Sequence, residues 1–147
     1  VNDLVNWLRA QLDEDAQVAL EVSGSGRWCA YEECDADGWT VEDSIGDLSA
    51  TIGDQAMAWH IAIHDPARVL AEVEAKQRIL RIHEGRHECR STWPPDAALG
   101  EVEWTYGERE YEADEPCPTL SLLALPYAAR PGYRPEWAPD GQAPSDS

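Results

Sequence analysis

Phenylalanine is missing from the 147 residues, whereas tryptophan occurs seven times and tyrosine five. Every large aromatic therefore carries an N–H or O–H that wants a partner, which suits a binding surface as well as a core edge. No apolar run approaches the ~20 residues that a membrane-spanning helix needs. Basic residues are scarce: 11 Lys and Arg stand against 29 Asp and Glu, for a formal net charge of −18. A nucleic-acid binder needs a basic footprint, and an anionic membrane surface attracts one. The composition thus argues against direct nucleic-acid binding and against a membrane. A basic-then-apolar leader is also missing, since Val1-Asn2-Asp3 runs into an amphipathic, acidic segment; the expected location is the cytoplasm. In a reducing cytosol the four cysteines read as thiols or metal ligands rather than disulfides. Nucleophile-elbow, phosphate-loop, dinucleotide and zincin motifs are all absent, so the chain is not expected to be an enzyme.

What is present, 43% hydrophobic residues in a chain of this length, can bury about two-thirds of its unfolded surface. A single domain is expected over residues 1–137, with 138–147 a disordered tail. The clearest element is a helix over 66–83. Asp65 can cap it, Pro66 suits its first position and Gly85 follows its last turn. Val69, Leu70, Val73 and Leu80 share one side of it, and Ala71, Ala75, Ile79 and Ile82 the other. Two apolar sides predict a central helix covered from both, by an N-terminal helix and a short C-terminal one. The N-terminal helix, 3 to about 20, places Leu4, Val5, Leu8, Leu12, Ala16 and Ala19 on one face.

Strand-like runs at 27–31 and 39–42 flank an Asp-Gly turn, and a third near 48–52 completes a small antiparallel meander. The loop with Glu32, Glu33, Asp35 and Asp37 lacks the ordered spacing of a calcium site and reads as a solvated hairpin tip. Residues 57–64 fit either period; a helix capped at Gly53-Asp54 and kinked at Asp65-Pro66 is favoured. His60 and His64 have a metal-sharing spacing, but no Glu follows His60 in the zincin manner. Between His83 and Cys89 the chain gathers two histidines and a cysteine within seven residues. Farther on, 101–106 and 108–112 alternate about Gly107 and suggest a hairpin. Cys117 to Pro126 reads as a short apolar helix closed by its proline, and the segment from Tyr127 as extended, with Tyr133 and Trp137 packed on the body. The fold class is α+β, mainly helical, with a small antiparallel hairpin or meander.

Leu12 to Asp15, His60-Ile61-Ala62, and above all His64 to Lys76 resemble a family of small acidic proteins of unknown function. The block Cys117-Pro118-Thr119-Leu120, with Leu122 to Ala128, Pro131, Tyr133 and Trp137, matches it too. That family is found in streptomycetes, related actinobacteria and their phages. Relatives often carry a Cys-x-x-Cys pair before the Cys-Pro-Thr-Leu block, which looks like a zinc site; here the pair is missing. The resemblance implies that His83, His87, Cys89 and Cys117 hold one structural zinc instead, or else that the two cysteines are plain thiols in a member without the site.

Three functions follow as expectations. A non-enzymatic protein-binding or regulatory module, with a protein partner, would use an exposed aromatic patch including Trp93, Trp104, Tyr106 and Tyr111. A polyanion mimic blocking a nucleic-acid-binding protein would use rows of carboxylates, first among them Glu101, Glu103, Glu108, Glu110, Glu112, Asp114 and Glu115. A zinc-dependent or thiol enzyme would pair His87 with Cys89.

Overall fold

The structure, a computed structural model, describes residues 3–22, 26–32, 38–46, 49–93 and 105–139. In chain order the elements are α1 (Asp3–Glu21), β1 (Trp28–Glu32), β2 (Trp39–Asp43), β3 (Ser49–Ile52), α2 (Gln55–Ile63), α3 (Pro66–His83), β4 (His87–Trp93), β5 (Thr105–Tyr111) and α4 (Pro118–Ala124). Short 3-10 turns follow at Leu125–Tyr127 and Pro135–Trp137. This is an α+β fold with its antiparallel strands in two small sheets. The chain forms two compact units, Leu12–Lys76 on one hand and Val1–Gln11 with Gln77–Ser147 on the other. On α1 Leu4, Val5, Leu8, Leu12 and Ala19 of the expected stripe are buried, and Ala16 is half-buried.

In the unit Leu12–Lys76 the strands pair in the order β1-β2-β3, with Val41 opposite Ala30 and Ala50. Ala58 and Ala62 of α2 are buried with Ala30 and Val41, and Trp28, Trp39, Ile52 and Ile61 pack around them. Small residues four apart on one helix face let its backbone approach the sheet, and the indoles fill the flanks. Residues 57–63 are thus helical, as favoured, and Asp54 Oδ1 accepts the Met57 N–H at 2.8 Å. Asp65 ties α3 to β1. Its Oδ1 accepts the Arg68 N–H at 2.7 Å, capping α3, and its Oδ2 accepts the Trp28 N–H at 3.3 Å. Beside it the Ala67 N–H donates to the Gly26 carbonyl at 2.7 Å.

In the other unit, β4 and β5 form the two-stranded sheet. The C-terminal segment folds back on the first turns of α1. Trp7 packs against Tyr133 and Trp137, and its Nε1 donates to the Pro131 carbonyl at 3.0 Å. Gly132 sits at φ +85°, a conformation strained for any other residue, and a Cβ there would lie 3.0 Å from Trp7 Nε1, so the indole would have to give way.

Four expectations need correction. Gly107 is not a turn between two strands: it lies within β5, opposite Ser91, and the partner strand is β4. A glycine with no Cβ is tolerated inside a strand, so the alternation passes straight through it. Residues 101–104 lie outside the described residues. Second, the two sides of α3 are buried unequally: Val73 and Leu80 are buried and Val69 and Leu70 half-buried, whereas Ala71 and Ala75 are exposed, Ile79 is half-buried and Ile82 is 70% exposed. Two short alanines and a terminal Ile82 leave that side little apolar area beyond Ile79 to bury. Third, the segment after Tyr127 is a series of turns rather than extended, with Trp137 buried as anticipated. Fourth, Tyr111 is no surface aromatic, being 3% exposed. Its strand position faces the hairpin's buried side. The side chains of Trp93, Trp104 and Tyr106, the tip at 33–37 and the tail from 140 lie outside the described residues.

Candidate metal centre

The second unit brings the end of one helix, one strand and the start of another helix to a single point. His83 is the last residue of α3, and the Glu84 N–H still closes onto the Leu80 carbonyl at 2.9 Å. Gly85 then takes φ +76°, the left-handed conformation that ends helices and that only glycine adopts cheaply. This turn delivers the chain into β4. Side chains alternate along a strand, so His87 and Cys89 leave β4 from the same face. The register sets Tyr111 opposite His87 and Arg109 opposite Cys89. Cys117 stands immediately before α4, at the helix cap, with Pro118 in the first turn.

One ligand atom from each of His83, His87, Cys89 and Cys117 lies within 4.8 Å of all the others. His83 Nδ1 is 3.6 Å from Cys117 Sγ. Zinc bonds of ~2.3 Å to sulfur and ~2.0–2.1 Å to nitrogen give tetrahedral edges of about 3.3–3.8 Å. The cluster is therefore at coordination size along one edge and needs only a contraction of roughly 1 Å along its longest, within reach of side-chain adjustment. Both cysteines are buried and both histidines are half-buried.

Both histidines have features that would suit ligation. His87 Nδ1 lies 2.8 Å from the Gly85 carbonyl. A carbonyl only accepts, so Nδ1 carries the proton and Nε2 the lone pair. That Nε2 is buried and has no hydrogen-bond partner. Trp28 Nε1, Thr40 Oγ1 and Tyr133 Oη share that state, but none of those residues belongs to a ligand cluster. A protonated nitrogen held by a carbonyl while its counterpart points inward is the usual outer-shell arrangement of a metal-bound imidazole. Burial, and secondarily the neighbouring His87, holds His83 below the ordinary histidine range, in the neutral form that ligates. Burial pushes the Cys117 thiol up, while the main-chain N–H groups of Leu120 and Thr119 work against that and Cys89 adds to it. These N–H groups aim toward Sγ without closing a full cap hydrogen bond. The His87 ring stacks on Tyr111 at 5.9 Å between centroids and meets His83 edge-on at 5.1 Å.

All four residues expected to be ligands are thus gathered, and the His-x-Cys spacing is explained by a strand. Three supporting residues had no foreseen role here. Gly85 was legible only as a helix stop, Tyr111 only as a surface aromatic, and Thr119 only as part of a matching block. His60 and His64 are exposed, with His64 Nδ1 2.8 Å from the His60 carbonyl, and they join no cluster of three or more ligating residues among those described. Cys29 is an exposed free thiol, and no described helix is long and apolar enough to cross a membrane.

Comparison with curated proteins and with solved structures gives no match. The family model that matches spans residues 1–139, nearly all of the fold and every residue of the cluster, so the chain belongs to a family of unknown function, DUF6221.

Proposed function

We propose that the protein is a non-enzymatic binding module whose second unit is clipped by one structural zinc on His83, His87, Cys89 and Cys117. The observation that carries this reading is the convergence of two imidazoles and two thiols on one point, with one imidazole nitrogen buried and lacking a hydrogen-bond partner. With four protein ligands a tetrahedral ion keeps no open position for water or substrate, which favours a structural role over a catalytic one. The ion would tie α3, β4 and α4 together at one point.

The binding role draws support from α2. It carries no charged residue, and Met57, Trp59 and Ile63 are 56%, 46% and 49% exposed. Such side chains, grouped on one short helix, are what a protein partner covers. The polyanion reading draws less support, since Glu110 of β5 and Glu115 just after it are ion-paired with Arg86 and Arg109.

Native mass spectrometry of protein purified without added metal tests the zinc clip. One zinc per chain is expected, lost in the Cys89→Ser, Cys117→Ser double variant. At metal 1,000-fold above its Kd the linkage is worth about 4 kcal/mol, or roughly 10 °C in melting temperature for a chain of this size. A metal-free native protein that melts like the variant would refute it.

A further inference from the structure

We infer that Thr119 is a positioning residue of the metal centre, its hydroxyl donating a hydrogen bond to the Cys89 thiolate. The inference rests on the zinc reading above. Thr119 Oγ1 is 3.6 Å from Cys89 Sγ, across thirty residues of chain, because α4 begins beside β4. While Cys89 is a thiol, its S–H has an alternative acceptor in the Arg90 carbonyl, 3.7 Å away. Once the sulfur is a thiolate it has no proton to give, and that carbonyl becomes an unfavourable neighbour for a buried anion. A donor is then required, and the hydroxyl rotor of Thr119 can turn to supply it. Arg109, which faces Cys89 across the sheet, is engaged elsewhere: its guanidinium lies 4.8 Å from the Tyr111 ring centroid and is paired with Glu115. Thr119 is therefore the group in place to hold Cys89 in its ligating state. It does for the cysteine what the Gly85 carbonyl does for His87. Such outer partners typically contribute 10–100-fold to metal affinity.

The test uses the full chain with Thr119→Val, which keeps the shape and removes the donor, and Thr119→Ser, which keeps the donor. Zinc affinity is measured by competition with a chromophoric chelator, and cobalt(II) substitution reads the sulfur-to-metal charge-transfer band. Thr119→Val is expected to weaken zinc binding about tenfold or more and to move the band to lower energy, since an unsolvated thiolate gives up an electron more readily. Thr119→Ser should restore both, and melting of the metal-free forms should not differ enough to account for the loss. A Val variant with wild-type affinity and spectrum would overturn the inference while leaving the zinc site standing. Wild-type protein that binds neither metal would overturn the site and this inference with it. Should the Val chain not fold, Thr119→Ala against Thr119→Ser reads the same contrast.

Discussion

At the scale of single residues, Gly85 carries two loads at once. Its positive φ ends α3, and its carbonyl fixes the His87 tautomer. A Cβ there meets nothing within 4 Å, so Gly85→Ala should cost only the backbone strain, about 1–2 kcal/mol. Urea melts of the metal-free protein should return that figure, and a larger loss with zinc present would show the tautomer anchor slipping as well. For zinc affinity the two titrating candidate ligands set a pH dependence of the same sign, since both must be free of the proton to ligate. His83 is depressed by burial and by His87, so the stability it contributes is complete above its ordinary value of 6.5 and is lost as pH falls through its lower folded value. Cys117 is raised by burial and must give up its proton to ligate. Zinc affinity should accordingly rise with pH, with proton release, when isothermal titrations at about pH 6 and pH 7.5 are compared in buffers of different ionisation heat. The four candidate ligands were legible because the family resemblance pointed to a zinc site and because Cys and His are few in this chain. Gly85, Tyr111 and Thr119 were not, because their roles depend on a strand register and on where α4 begins, which no local pattern encodes.

Among the elements, legibility followed locality. α1, the break between α2 and α3, and the β1–β3 meander all rest on signals within a few residues: an apolar stripe, Asp65-Pro66, an Asp-Gly turn. The pairing of β4 with β5 joins residues as far apart as His87 and Tyr111, and a glycine at the middle of β5 imitated a turn. Two substitutions probe the elements that local patterns did reveal. Asp65→Ala removes the α3 cap and the tie to Trp28 together, and should destabilise by about 1–2 kcal/mol in denaturant melts. Ala62→Leu forces a larger side chain between α2 and the sheet, where Ala62 is only 4% exposed. It should cost about 1–3 kcal/mol, with strand shifts visible by NMR in β1 and β2.

For the whole molecule two features dominate. A formal charge of −18 on 147 residues sets carboxylates against one another, and screening by salt should stabilise the fold. Melting temperature should therefore climb between about 10 and 200 mM sodium chloride, where the Debye length falls from about 30 Å to below 10 Å. All four candidate ligands belong to the unit formed by Val1–Gln11 and Gln77–Ser147. Chelation should accordingly speed hydrogen exchange in β4, β5 and α4 and leave β1, β2, β3 and α2 protected. The acidity was plain from composition alone, yet it names no partner, because charge of one sign sets attraction without shape. The coordination sphere decides the zinc proposal, and zinc K-edge X-ray absorption reads it directly on protein purified without added metal. Two sulfurs at ~2.3 Å and two nitrogens at ~2.0–2.1 Å are predicted. A shell of nitrogen and oxygen alone, or one unchanged in the Cys89→Ser, Cys117→Ser variant, would contradict it.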